Sequence, residues 1–366
     1  MPSQILHILF GEDVITGIYR RIGPRFGIVA DKALEKIELA YKTSFALGCQ
    51  GPDIFYHSRS RRPVGLEYGT LLHRRGAGIF TAGLMKIGLP DPPPDEEDIR
   101  MGRREKGINS LGVYALGFMT HAILDRLAHP YIVYKCGFVT SAKPKANQFT
   151  WFHLFFERVL DVLMLKERRS LDITTWDQDK MLTEICEKPP LGFRELLARA
   201  LILAFPERAG KDNKLSLRIE NTLADCAEYY RHTSPQRTSV KSTGKIDGLD
   251  PDILPYLYPE NLCESGIDFL NRKNQPWYYP LAGREEDRRS FPELYYDAVE
   301  AAVESMSPVI TAYLETGIFP ITEAARVIGN GGLSIVDENG KPCTPNLADP
   351  LPLDKVLAQQ AALRSN

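Results

Sequence analysis

Three residues of this chain, His121, Asp125 and His129, recur at intervals of four. On an α-helix, positions i, i+4 and i+8 rotate by only about 40° per step, so all three side chains project from one face. Neighbours at this spacing lie about 5–6 Å apart at Cβ, which suits two ligands of one ion or a carboxylate shared between two. His153 and Glu157 repeat the spacing in an apolar stretch with Trp151, Phe152, Leu154, Phe155 and Phe156. A charged pair buried there without a partner is costly, and a cation removes that cost. His7, Asp53 and His73 fall on three further segments, with Asp53 held in a tight turn by Gly51 and Pro52. An i, i+4 pair of His and carboxylate also stabilises ordinary helices. The combination in one chain, with six of seven histidines before residue 154, is what points to a metal site. His57 and His232 read as bystanders, and Arg59, Arg61 and Arg62 as a solvated loop that could also meet an anionic substrate.

Helices have to carry these residues. Apolar periodicity and stop signals predict a helix over 4–21, ended by Gly23-Pro24, and another over 31–47, ended by Gly48 and Gly51. A third is expected over 67–87, a fourth over 109–128 with Pro130 close behind, and a fifth over 151–166. Segments 90–106 and 141–148 read as loops. Further helices are expected at 193–205, 214–231 and 292–315, with a long loop from 232 to 292 that holds short helices. From Pro320 the chain reads as irregular, with a turn at 329–332 and a proline-rich stretch at 345–352. The fold class is therefore all-α: a multi-helix domain over 1–318 with extra loops, and an irregular tail over 319–366.

Composition sets limits. The chain has 366 residues, 43% of them hydrophobic and 25% charged, with a formal net charge of -2. That balance leaves no basic excess to grip a polyanion, so there is no strong nucleic-acid signature. Six cysteines lie scattered with no C-x-x-C pair, and read as free buried thiols. The N-terminus has no secretory pattern and no apolar run spans a bilayer, so a cytoplasmic chain without a transmembrane segment is expected.

The order of these residues resembles the zinc-dependent phospholipase C family, whose fold is shared by P1/S1-type nucleases and by the N-terminal region of glycosylphosphatidylinositol-specific phospholipases D. That family orders its ligands His, Asp, His, then H-x-x-x-D with a following His, then H-x-x-x-E. This chain offers His7, Asp53, His73, His121, Asp125, His129, His153 and Glu157 in that order, within residues 1 to about 165. The resemblance implies an all-helical fold and two or three zinc ions. Asp53, His73, His121 and Asp125 would hold one ion, and His129, His153 and Glu157 a second. His7 would share Asp125 at a third, which in the family is completed by the first mature residue. Two positions depart from the pattern. Asp125 and His129 are only four apart, closer than in the secreted enzymes, and Ile54 follows the turn aspartate where choline-specific members carry an aromatic.

The chemistry implied is hydrolysis of a phosphodiester by a metal-activated water, with Asp53 orienting or deprotonating that water. A phospholipid at a membrane surface is one substrate class, met through aromatics such as Trp277-Tyr278-Tyr279 or Tyr256 and Tyr258, for which packing against the core is the favoured reading. The alternatives are a nuclease of the same fold, or a protein that uses its metal without catalysis.

Overall fold

The computed structural model describes residues 3–89, 96–101, 109–137, 146–235 and 254–365. Among them the chain forms fourteen α-helices and one short hairpin, so the all-α expectation holds. The first helices are α1 (Gln4–Phe26), α2 (Ile28–Glu35), α3 (Lys42–Cys49), α4 (Leu66–Arg74) and α5 (Ala77–Gly88). Next come α6 (Glu96–Arg100), α7 (Ser110–Cys136), α8 (Ala146–Arg169), α9 (Gln178–Glu187), α10 (Phe193–Ala204) and α11 (Leu215–His232). The chain closes with α12 (Phe291–Thr316), α13 (Ile321–Ile328) and α14 (Leu353–Ser365). Strands Trp277–Tyr278 and Glu286–Asp287 pair antiparallel, with Trp277 opposite Asp287.

Helix α7 is the axis of the molecule. It packs against α1, α3, α5, α8 and α12. Its sequence is apolar on nearly every side, as a helix enclosed by neighbours must be, and among its 27 residues Arg126 and Leu127 form the open stretch in the middle. The Asn109 side chain starts it, accepting from the amides of Leu111 (2.9 Å) and Gly112 (3.0 Å). Helix α12 is capped by a reciprocal Ser290–Glu293 pair and lies along α1.

Several expected boundaries move. Helix α1 passes through Gly23-Pro24 to Phe26 and ends at Gly27, whose amide donates to the Gly23 carbonyl at 2.8 Å. The single helix expected over 31–47 is α2 and α3 with a π-turn, Lys36–Ala40, between them. The extra residue in that wider turn re-phases the helix, and residues 44–49 then lie buried against α7. The helix expected over 67–87 breaks at Gly76, in left-handed conformation, into α4 and α5. Helix α7 continues past Pro130 because Tyr131, Ile132, Val133, Tyr134 and Cys136 are all buried, which offsets the missing amide. Helix α6 lies within the loop expected at 90–106, the rest of which, apart from Met101, is outside the described residues. Helix α8 begins at Ala146, so of the loop expected at 141–148 only 141–145 is left, also outside them.

The largest correction concerns the tail. It is not irregular throughout: α13 packs on α5, and α14 buries Leu353, Val356 and Gln360, an i, i+3, i+7 face, near α8. The long segment after α11 contains two 3-10 turns and the hairpin, with 236–253 outside the described residues. No helix of the described residues is long and apolar enough to cross a membrane.

Candidate metal centre

Five elements bring the eight sequence-selected residues together. His7 comes from α1, Asp53 from a 3-10 turn (Gly51–His57), and His73 from the last turn of α4. His121, Asp125 and His129 share one face of α7, and His153 and Glu157 face them from α8. The turn that presents Asp53 depends on Gly51. Its φ is +56°, and a Cβ there would stand 2.3 Å from the His121 ring, so only glycine lets the turn come this close.

Their donor atoms form three groups, each within 4.8 Å: His7, His121 and Asp125; Asp53, His73 and His121; His129, His153 and Glu157. Most are buried; the His153 side chain is 21% exposed and that of His73 10%. Asp125 is the hub. Its Oδ1 lies 3.4 Å from His7 Nε2 and 3.5 Å from His129 Nδ1, and its Oδ2 lies 3.2 Å from His121 Nε2 and 3.6 Å from His73 Nε2. His73 Nε2 also stands 3.0 Å from Asp53 Oδ1. In the third group, Glu157 Oε1 is 3.1 Å from His153 Nε2 and 3.6 Å from His129 Nε2. Two ligands on one tetrahedral zinc, with bonds of about 2.0–2.1 Å, are separated by about 3.3 Å.

These close approaches are largely not hydrogen bonds. Among the described residues, His7 Nδ1, His73 Nε2, His121 Nε2, Asp125 Oδ2 and Glu157 Oε2 are buried with no aligned hydrogen-bond partner. Such atoms are costly to leave bare. They belong to groups whose ligand atoms lie within 4.8 Å of one another, a spacing that ligands of a cation can adopt. The set of imidazole nitrogens and carboxylate oxygens fits zinc or a similar divalent transition ion.

Ring orientation is fixed from behind. His121 Nδ1 lies 3.0 Å from the Cys49 carbonyl, His73 Nδ1 2.8 Å from the Gly69 carbonyl, and His129 Nδ1 3.2 Å from the Leu333 carbonyl. A carbonyl can only accept, so each Nδ1 carries a proton and Nε2 is the nitrogen left to ligate once it is unprotonated.

The electrostatics are consistent with an anionic site lined by imidazoles. Burial would raise the Asp125 carboxyl, but the His129 and His121 rings hold it well below the usual carboxylate range. Burial likewise works against Asp53, which nearby positive charge, the His73 and His121 rings included, keeps below its ordinary value. Glu157 is brought down to about 2 against its burial by His153 and His129 among others. Burial and the neighbouring His121 lower His7. For His73, burial is outweighed by the nearby Asp125 and Asp53 carboxylates, which push it up to about 9.

Other sequence candidates lie elsewhere. His57 is buried with its ring stacked 3.7 Å from Tyr229, and His232 Nε2 faces Glu228 at 4.0 Å. The loop of Arg59, Ser60 and Arg61 wraps the Asp225 carboxylate with three backbone amides, at 2.9, 3.0 and 3.2 Å. Arg61 adds an ion pair to the same carboxylate at 2.6 Å, so its charge is already engaged. Trp277, Tyr256 and Tyr258 are buried and pack in the core; they are not a docking surface. Of the cysteines, Cys49, Cys136, Cys186 and Cys226 are buried free thiols, while Cys263 is exposed and Cys343 half-buried. Sequence reasoning missed the backbone carbonyls of Cys49, Gly69 and Leu333, since a carbonyl leaves no mark in residue type. It also missed Tyr56, whose ring packs 4.8 Å from that of His73. In comparisons with protein-family models, curated proteins and solved structures, nothing matched this chain.

Proposed function

We propose that this chain is a zinc-dependent phosphodiester hydrolase with the fold and chemistry of the phospholipase C and P1/S1-type nuclease group. The observation that carries the reading is the convergence of eight donor residues in three adjoining groups, with five buried polar atoms, on His7, His73, His121, Asp125 and Glu157, that lack aligned partners. A structural zinc is closed by four protein ligands. Eight residues in three linked groups suit two or three ions with positions left for water and substrate.

Asp53, His73, His121 and Asp125 would hold the first ion, His129, His153 and Glu157 the second, and His7 with Asp125 a third. Bound there, zinc supplies Lewis acidity towards the phosphoryl oxygens and a water acidic enough to attack near neutral pH. The residues supply the rest. Asp53, anionic in its glycine-dependent turn, accepts a hydrogen bond from the attacking water and orients it towards phosphorus. Asp125 keeps one oxygen towards His7 and the other towards His73 and His121, which fixes the separation of the two groups. Tyr56, whose hydroxyl burial pushes up and so keeps protonated, is placed beside His73 to donate to a substrate oxygen. His153 is the most exposed of the ligands, so substrate enters from its side. With Trp277, Tyr256 and Tyr258 in the core and Tyr278 and Tyr279 half-buried, the chain offers no specific support for lipid docking, and a phosphodiester of unspecified leaving group is the substrate class.

The test is hydrolysis of bis-(p-nitrophenyl) phosphate, phospholipid vesicles and single-stranded nucleic acid by the zinc-loaded chain. Turnover of any of them, lost in Asp53→Asn with most zinc retained, supports the reading. Full activity in Asp53→Asn would remove Asp53 from its role. Zinc occupancy without hydrolysis of any of the three would favour a non-catalytic metal protein.

A further inference from the structure

The tail contributes a strap that runs along the back of the centre. Arg126, one residue after the hub carboxylate, turns its guanidinium away from the centre and into residues 328–332. Its Nε donates to the Gly332 carbonyl at 3.1 Å, one terminal nitrogen to Ile328, and the other to Gly329 and Gly331 at 3.4 Å each. From the opposite side, the amides of Gly76 and Gly78 donate to the carbonyls of Asn330 (3.1 Å) and Gly329 (2.8 Å). The Ile79 amide donates to Asn330 Oδ1 at 3.0 Å. The glycines fit this path: Gly329 has φ +68°, and a Cβ on Gly331 would stand 2.7 Å from the Gly340 carbonyl.

The strap delivers one residue, Leu333, fully buried, between two ligands of different groups. Its amide donates to the His73 carbonyl at 2.9 Å, and its own carbonyl accepts from His129 Nδ1 at 3.2 Å. We infer that Arg126 and the strap at 328–333 are a positioning device for the metal centre: they present the Leu333 carbonyl that fixes the proton of His129 on Nδ1 and so aims Nε2 at Glu157. The inference rests on the metal-centre reading above. Its physical content is a competition. Asp125 Oδ1 lies 3.5 Å from the same Nδ1, hardly farther than Leu333. With the strap in place, the Nδ1 proton goes to a carbonyl, and Asp125 Oδ1 stays available on the His7 side. Without it, the proton turns to Asp125, the hub loses an oxygen, and the ring rotates off Glu157. A partner behind a ligating histidine that sets its tautomer and orientation is worth about 10–100-fold in metal affinity.

Arg126→Met removes the four guanidinium hydrogen bonds. Arg126→Lys keeps the charge but cannot span four carbonyls, and it serves as the second variant should the first not fold. Two readouts apply to the full chain: zinc affinity of each site by chelator competition, and 15N spectra of the histidine rings in ion-free protein. The parent is expected to show His129 protonated on Nδ1. In the variants that signature becomes mixed, and the zinc at His129, His153 and Glu157 is released at a chelator strength about 10–100-fold lower. A folded variant with His129 still locked and its zinc held as in the parent would overturn the inference. Should the parent take up no zinc, the metal-centre reading fails by itself, and the ring spectra still decide the strap. Locked in the parent and mixed in the variant supports it, and equal spectra contradict it.

Discussion

Glu157 and Arg158 are neighbours on α8, both buried, and they belong to polar clusters of opposite character. Arg158 is paired on several sides: it donates to the hydroxyls of Tyr258 and of Tyr229 (2.8 Å), and faces Asp161 at 3.5 Å. Asp161 in turn accepts from Ser3 Oγ and from the amides of Gln4 (3.1 Å) and Leu6 (2.7 Å), which ties the start of α1 to α8. Glu157 belongs to the centre, where donors approach within 3.0–3.6 Å yet five buried atoms lack aligned partners. One cluster satisfies both carboxylate oxygens and most of its donors within the chain. The other leaves five buried atoms bare, in groups that could hold a cation. Burial of charge alone therefore does not mark function here; the state of the hydrogen bonds does.

Substitutions should separate the two. The largest effect is expected from Asp125→Ala, which removes the hub: phosphodiester hydrolysis should fall by about 1,000-fold, or about 4 kcal/mol, checked by kcat/KM on bis-(p-nitrophenyl) phosphate. Arg158→Met leaves Asp161 buried without its ion-pair partner. Denaturant unfolding should show a loss of about 3–5 kcal/mol, with zinc content of the folded fraction unchanged. Chelation should reverse the pattern. It lowers the stability of the parent by about 3 kcal/mol per bound ion relative to protein in free zinc at 100 times the dissociation constant, and lowers that of Asp125→Ala by less in total, as thermal melts can show.

A pH titration sharpens the contrast further. In ion-free protein His73 is held at about 9, above its ordinary value of 6.5. Its contribution to stability is then complete below about 6.5 and is lost as pH climbs through about 9. Zinc needs that proton removed, so zinc affinity at this group should rise towards pH 9, by up to about tenfold per unit. Ion-free stability and zinc affinity are thus expected to slope in opposite directions between pH 6.5 and 9, measured by melts and by chelator competition. The smallest effect belongs to His232→Ala, far along α11 from the centre, which should change zinc content not at all and stability by less than about 0.5 kcal/mol.

What the sequence made legible follows the same division. Residue type and helical spacing are enough to select His121, Asp125 and His129 for one face, and the structure places all eight selected residues in three adjoining groups. The helical class was equally legible from periodicity. The Arg158–Asp161 cluster was not, because its partners, Ser3, Tyr229 and Tyr258, come from distant segments and no local spacing links them. The strap was hidden for a related reason. Residues 329–332 have the composition of a turn, and their role resides in carbonyls that glycine shares with every other residue. Helix α14 follows the proline-rich stretch at 345–352, and its buried face is only Leu353, Val356 and Gln360, too sparse an apolar pattern to mark a helix.

Elemental analysis of zinc per chain, on parent and Asp125→Ala protein purified without chelator, bears most directly on the eight-residue centre. Two or three zinc ions in the parent and at most one in the variant are expected. A well-folded parent that carries no zinc, and takes none up when it is supplied, would contradict the metal centre outright.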